Sequence, residues 1–325
     1  MSIVISICIP TFNRPKMLKK CLDSILLHAP NDKKSIEICI SNNNSDENYS
    51  FIEDYLYKYD INNTYFSQLK KVSIDENMLK VISMASGKYV LLLGDDDFLT
   101  SGIEGLLAFT KKNEPDLLAL SGEHVDAHEK FISEHNPVFD CRNLSTLEKF
   151  DHLVYLLPFG SLLVKKSIYD KSVFDQFMDT YHAYASFWIT FLKMYERGME
   201  VNICSYEDKI VALRASEKTY DTYYFDVVAR GIPDFFNLIK KEASSKQTME
   251  VVDNIIYKYN SNLLSIKNTF LFILKGVETN KLVELFNKSH NFKGYINIFL
   301  AHNLSRQKAA LVVKFVKRAK GKWND

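Results

Sequence analysis

Residues 89–93 read Tyr-Val-Leu-Leu-Leu, an apolar run of strand length, and they meet Gly94 and three consecutive carboxylates, Asp95, Asp96 and Asp97. Phe98 and Leu99 then resume the apolar pattern. A strand that is apolar on both faces must be covered on both faces, which is the habit of parallel sheets flanked by helices. The apolar flanks place the acids at the end of a buried strand, not in a solvated charge run. Three neighbouring carboxylates repel one another unless a cation or hydrogen-bond donors compensate them. A hard divalent ion carrying a diphosphate suits such a cluster, because Mg²⁺-type ions take one or two carboxylates together with substrate phosphates. The cluster points to chemistry on a phosphate-bearing substrate.

The rest of the first 120 residues has the matching rhythm. Residues 3–9 and 36–40 are β-branched and apolar and predict buried strands. Between them, Met17, Leu18, Cys21, Leu22, Ile25 and Leu26 recur at helical spacing behind Pro15, a residue suited to a helix start. A helix is predicted over 47–59 and a weaker strand over 65–72. Met78, Val81, Ile82 and Ala85 predict a helix over 77–85 that Gly87 ends as a C′ residue. A helix over 103–112 and a strand over 117–120 follow. Alternating strands and helices with short connections imply an α/β fold with a largely parallel sheet. Ligands on such sheets bind outside the carboxyl ends of the strands. The polar loops 10–15, 41–46 and 94–97 all fall at that edge.

Beyond residue 120 the pattern is mixed, with helical character over 147–157 and 183–197 and extended character over 159–164 and 203–214. From about Tyr223 the chain reads as helices only, which sets a boundary near 217 and two parts, 1–217 and 218–325.

A length of 325 residues with 46% hydrophobic and 25% charged residues allows a sizeable core. The net charge of +1 gives no global field for nucleic acid. Five scattered cysteines without a C-x-x-C pair predict a reducing compartment and no zinc site. No leader pattern opens the chain and no apolar run approaches the roughly 18 residues of a membrane span, so an integral membrane protein is not expected.

Ile7-Cys8-Ile9-Pro10-Thr11-Phe12-Asn13-Arg14, the strand and loop over 38–46, and the block from Asn77 through Ser86-Gly87-Lys88-Tyr89 to Asp97 together resemble the family 2 glycosyltransferases. The resemblance covers roughly the first 120 residues and is nearest to the abequosyltransferase-like branch. It implies a GT-A fold, Rossmann-like with a mostly parallel sheet flanked by helices, followed by a C-terminal helical region. It also implies an inverting transferase that moves a sugar from a nucleotide diphosphate donor, a UDP- or dTDP-sugar being favoured, to a hydroxyl of a saccharide acceptor. The acceptor so implied is lipid-linked, an O-antigen or capsule unit of a bacterial surface glycan, and the cofactor is Mn²⁺ or Mg²⁺.

The family usually ends the acid strand with Asp-x-Asp-Asp, and Gly94 takes the first of those positions. The resemblance then makes Asp95 a ribose ligand and Asp96 a metal ligand with Asp97. A plain D-x-D reading pairs Asp95 with Asp97 instead, residues that share a face if the strand continues. A solvated acidic turn or a helix cap is the structural alternative. Asn42 replaces the family's Asp, which accepts the N3–H of uracil; an Asn carbonyl also accepts such a bond, and Asn equally suits a simple turn. Pro10, Thr11 and Asn13 belong to the loop that meets the nucleotide. Arg14 offers a guanidinium fork to phosphate oxygens, or is a surface arginine near a helix start. Asn77 caps its helix or reaches the donor.

The proton acceptor is the gap in the pattern. The family supplies a carboxylate shortly before an aromatic helix, where this chain has none over 183–186. His182 is nearest that place, with a pKa suited to base chemistry, and Asp179 three residues earlier would orient or replace it. A histidine among aromatics is otherwise structural. Arg214 either closes over the diphosphate or forms a salt bridge.

Arg306, Lys308, Lys314, Lys317, Arg318, Lys320 and Lys322 share the C-terminal segment with Leu304, Leu311, Val312, Phe315 and Val316. A basic amphipathic helix of this kind lies on an anionic bilayer or packs on its own domain with a solvated basic face. The expected location is the cytoplasm, at the inner face of the membrane. Two rival classes are a non-catalytic nucleotide-sugar or glycan-binding protein and a sugar nucleotidyltransferase; against the latter, residues 10–15 hold no glycine.

Overall fold

The computed structural model describes residues 3–126, 128–135, 144–154, 160–176, 185–214, 225, 227–274, 276–287 and 292–309. Strand β1 (Ile5–Thr11), helix α1 (Pro15–Leu27), β2 (Ile36–Asn42), α2 (Phe51–Tyr57), β3 (Asn62–Ser67), α3 (Ile74–Met84) and β4 (Tyr89–Leu92) alternate as the sequence predicts. There follow β5 (Phe98–Leu99), α4 (Ile103–Asn113), β6 (Leu117–Val125), β7 (Phe131–His135), α5 (Thr146–Leu153), β8 (Leu162–Lys165), α6 (Lys171–Asp175), α7 (Phe187–Glu196) and β9 (Ile203–Arg214).

The strands form one sheet in the order β3-β2-β1-β4-β8-β6-β9-β5, with β7 paired to β6. The run β3-β2-β1-β4 is parallel throughout. Strand β8 is antiparallel to both its neighbours, β6 and β9 are parallel, and β5 and β7 are antiparallel additions. Parallel character therefore belongs to the half with the regular strand–helix rhythm.

Leu18, Cys21, Leu22 and Ile25 of α1 bury one face against Ile5, Ile7 and Ile9 of β1 and Ile36, Ile38 and Ile40 of β2. Each such side chain contributes roughly 1.5–3 kcal/mol relative to exposure. The other face of these strands carries a polar cluster. The Glu37 carboxylate accepts from Ser6 Oγ at 2.5 Å, the Ser86 amide at 2.5 Å, Ser86 Oγ at 2.9 Å and the Gly87 amide at 3.2 Å. It ties β1 and β2 to the turn that launches β4.

Helix α3 and the turn that follows it correct two sequence expectations. Helix α3 begins at Ile74, earlier than position 77, because Ser73 and Glu76 form a reciprocal capping box. Asn77 is thus inside the helix and not its cap. Gly87 is also not a left-handed terminator: a Cβ there would lie 2.7 Å from Ser6 Oγ and 3.0 Å from the Ser6 amide, so close approach requires the glycine. Two further boundaries move. Helix α2 starts at Phe51, not 47, because residues 43–50 are spent on the loop above the sheet edge, where Asn44 adopts φ 53°. Strand β3 is displaced to 62–67 by its parallel register with residues 37–42 of β2.

By contacts the chain divides into residues 1–216 with 241–249, and residues 217–240 with 250–325. In the second unit, helices Ile266–Leu274, Thr279–Asn287 and Phe292–Asn303 supply Phe272, Leu282, Phe286 and Ala301 to a separate apolar cluster. Among the described residues no helix is long and apolar enough to cross a membrane. Residues 310–325, most of the basic C-terminal segment, lie outside the described residues.

Candidate active site

Parallel pairing sets the carboxyl ends of β2, β1 and β4 side by side. Thr11 is opposite Asn42, and Cys8 is opposite Leu92. The Leu93 amide adds one more bond to Cys8 O at 2.9 Å before the chain turns, closed by the Asp97 amide on Gly94 O at 3.2 Å. A Cβ on Gly94 would sit 2.5 Å from Asp97 Oδ2 and 3.1 Å from Asp96 Oδ1. The glycine lets both acid side chains fold back over the turn.

The three acids go three ways. Asp95 is fully buried; its Oδ2 accepts from the Thr11 hydroxyl at 2.7 Å, and its Oδ1 forms an ion pair with Arg14 Nη2. Asp96 reaches the surface, its side chain 15% exposed, and its Oδ2 accepts from Arg14 Nη1 at 2.9 Å. Asp97 turns away, with Oδ1 accepting from the Arg214 amide at 2.9 Å. The charge compensation demanded by three neighbouring carboxylates thus comes partly from Arg14, which follows β1 directly. Among the described residues the buried Nε of Arg14 has no acceptor.

Burial pushes the Asp95 carboxyl up to about 7; Arg14 pulls it back, Asp96 pushes it further up, and the Thr11 bond lowers it. Burial works against the Arg14 charge, yet Asp95 and Asp96 outweigh it and hold the guanidinium above its ordinary value. A carboxyl with a raised folded pKa binds its proton more tightly folded than unfolded, so its contribution to stability falls as pH rises from its unfolded value near 4 through about 7. We expect the thermal midpoint of Asp95→Asn, relative to wild type, to rise between pH 5 and pH 8. A difference that stays flat across that range would remove Asp95 as the titrating group.

Among the described residues no group of three His, Cys, Asp or Glu side chains gathers to hold a metal. The donor set nonetheless suits an ion shared with substrate phosphates, which needs only one or two carboxylates. Asp96 Oδ2 is paired with Arg14, while Oδ1 lies over the turn beside Gly94. Asp97, the expected second ligand, spends Oδ1 on Arg214.

The neighbouring loops are stitched together. The Asn13 amide donates to Ser45 Oγ and Asn13 Oδ1 accepts from the Asp46 amide, each at 2.9 Å, with Asn13 at φ 52°. Pro10 pairs in register with Ser41. Asn42 Oδ1 accepts from the Ser45 amide at 3.1 Å and Ser45 Oγ at 2.5 Å, while Nδ2 donates to the Tyr65 hydroxyl at 3.0 Å. Asn77 Oδ1 accepts from Ser41 Oγ at 2.8 Å and its Nδ2 donates to Ser41 O at 3.1 Å, which locks α3 under β2.

Arg214 is buried, with its Nε on Asp96 O and its Nη2 on Glu129, both at 3.1 Å. It braces the acid turn from behind. Tyr49 and Glu129 escaped the sequence reading. The Tyr49 hydroxyl accepts from the Arg14 amide and bonds Thr11 Oγ1, both at 2.9 Å. Glu129 joins Arg214 to Lys20, the latter at 3.0 Å. No spacing rule marks either residue, since both act across long sequence separations. His182 and Asp179 lie outside the described residues.

The sequence model described as glycosyl transferase family 2 matches residues 6–177, more than half of the chain's 325 residues. Abequosyltransferase RfbV of Salmonella typhimurium is 28% identical over 191 residues, 53% of this chain and 56% of its own length, so the chain spans just over half of that relative. The GalNAc(5)-diNAcBac-PP-undecaprenol beta-1,3-glucosyltransferase of Campylobacter jejuni is 27% identical over 227 residues, 67% of this chain and 70% of its own. Among solved structures, S. aureus TarS 1-349 in complex with UDP-GlcNAc superimposes with a TM-score of 0.61 at 14% identity, covering 98% of this chain and 92% of that one. That likeness speaks to the fold. The family model matched over more than half of the chain places it in the family 2 glycosyltransferases.

Proposed function

We propose that the protein is an inverting glycosyltransferase that takes a sugar from a nucleotide diphosphate donor to a saccharide hydroxyl. The observation that carries this reading is the convergence of Arg14, Asp95 and Asp96 at the adjoining ends of β1 and β4. Arg14 and Thr11 hold the donor's diphosphate and nucleoside, and Asp95 orients both through its bonds to them. A divalent ion, Mn²⁺ or Mg²⁺, held at Asp96 with the donor phosphates, would supply charge neutralisation for the departing diphosphate. Asp97 Oδ2 is the second candidate ligand, and Arg214 keeps the turn that presents both. The acceptor's proton goes to His182, or to Asp179 three residues earlier in sequence, as general base.

The Campylobacter relative is named for a lipid-linked acceptor. By that analogy the acceptor here is a lipid-linked saccharide of a bacterial surface glycan, met at the cytoplasmic face of the membrane with help from the basic C-terminal segment.

A panel of nucleotide sugars with Mn²⁺ tests the reading through the thermal midpoint. A donor at one hundred times its dissociation constant stabilises the folded chain by roughly 2.7 kcal/mol. We expect one donor to raise the midpoint with metal and to undergo slow hydrolysis. Equal stabilisation in EDTA would overturn the metal-bridged arrangement, and binding without any turnover would favour a non-catalytic binder.

A further inference from the structure

Resting on the donor site just proposed, we infer that Glu129 is a positioning residue for the acid turn, that it acts through Arg214, and that its backbone is held in a strained conformation to do so. The observations come from the hairpin turn between β6 and β7.

Strand β6 is parallel to β9, with Val125 opposite Arg214. The turn that follows Val125 therefore lies at the sheet edge where Arg214 meets the acid turn. Asp126 fixes this hairpin turn. Its Oδ1 accepts from the His128 amide at 2.8 Å and from the Lys130 amide at 2.9 Å. Its own amide donates to Lys130 O at 2.9 Å, and its carbonyl accepts from the Glu129 amide at 3.0 Å. Held by these bonds, Glu129 adopts φ 63°.

Left-handed backbone suits glycine or asparagine, and a longer side chain there carries strain. The hairpin on its own would be better served by asparagine. Strain of this kind beside a candidate site points to a role carried by the side chain.

That side chain joins two cations. Its Oε1 accepts from Lys20 Nζ at 3.0 Å and from Arg214 Nη2 at 3.1 Å. The two contacts are unequal. Lys20 is 59% exposed, so its pair is a weak surface contact. The Arg214 side chain is 2% exposed, and a buried guanidinium depends on each acceptor it has. Arg214 also donates from Nε to Asp96 O at 3.1 Å and from its amide to Asp97 Oδ1 at 2.9 Å. Glu129 thus grips one side of the guanidinium while the acid turn hangs on the other. Asparagine at 129 would relax the backbone, but it is one methylene shorter and falls short of Nη2. Stability and function should then respond to that substitution in different ways.

The full chain as wild type, Glu129→Asn, Glu129→Gln and Lys20→Met tests this. Each is followed by thermal melting, by hydrogen exchange at the acid turn, and by hydrolysis of UDP-glucose, UDP-N-acetylglucosamine and dTDP-glucose with Mn²⁺. We expect Glu129→Asn to melt no lower than wild type. Its Asp97 amide, which closes the turn on Gly94 O, should exchange roughly tenfold faster, and kcat should fall by roughly tenfold or more with KM little changed. Glu129→Gln keeps the length and an acceptor, and should restore most of both. Lys20→Met should change neither. Wild-type exchange or wild-type kcat in Glu129→Asn overturns the inference. A midpoint lowered by several degrees in that variant overturns it too, since the ion pair would then hold the fold. So does Lys20→Met reproducing the effect, which would route the coupling through α1. If the wild type hydrolyses none of the three sugar nucleotides, the glycosyl-transfer reading falls, and exchange and melting still decide the role of Glu129.

Discussion

Asp96→Ala is expected to lower donor turnover by about a hundredfold or more, the range typical of removing one group that stabilises charge developing in a transition state. Its side chain is the one of the three acids that reaches the surface with an oxygen to spare. The fold should feel the change little, because Arg14 keeps its partner Asp95 and the turn is held by the Gly94 and Arg214 bonds. Initial rates of sugar release from the donor, measured beside a thermal melt, separate the two effects. Turnover within a few-fold of wild type in a well-folded variant would take Asp96 out of the site. A parallel drop in the thermal midpoint would instead make it structural.

Glu37→Ala is expected to destabilise the fold by about 2 kcal/mol or more. Truncation leaves the buried Ser6 hydroxyl and Gly87 amide without their acceptor, each such donor costing roughly 1–3 kcal/mol, while the amide and hydroxyl of the exposed Ser86 turn to water. Gly87 also bonds Ser6 Oγ at 2.9 Å, which offsets part of the loss at that amide. Glu37→Gln should recover most of the stability, since its oxygen can take the Ser6, Ser86-amide and Gly87 donors while its N–H faces Ser86 Oγ, a hydroxyl that also accepts. Urea unfolding measures both. A cost under about 1 kcal/mol for Glu37→Ala would mean that water replaces the carboxylate. Because the Ser86–Gly87 turn launches β4, the same variant should also loosen donor binding at the acid turn.

The parallel half of the fold was legible because its signals are local. Apolar β-branched runs at 5–9 and 36–40, helical spacing from Leu18 to Ile25, and the abrupt stop at Gly94 each announce themselves within a few residues. The antiparallel additions β5 and β7 were not, since two- and five-residue strands have no periodicity to read and depend on partners in β9 and β6. In the candidate site, Thr11, Arg14, Asp95 and Asp96 were picked through the family resemblance; Thr11 and Arg14 meet at Asp95, and Arg14 also meets Asp96. The brace formed by Arg214 and Glu129 was hidden because it joins positions 85 residues apart. Asn77 shows a different failure: amide side chains suit both caps and buried bridges, and only the Ser73–Glu76 box decides which.

Arg14 has one last consequence. The protein at rest already carries an internal counter-ion on Asp95 and Asp96. A bare metal cation arriving alone would meet the positive guanidinium already paired with both carboxylates, which repels it. A metal already chelated by a diphosphate brings with it the anion the guanidinium can take in exchange. Under the proposed metal-bridged reading, donor and metal are therefore expected to load as a single package.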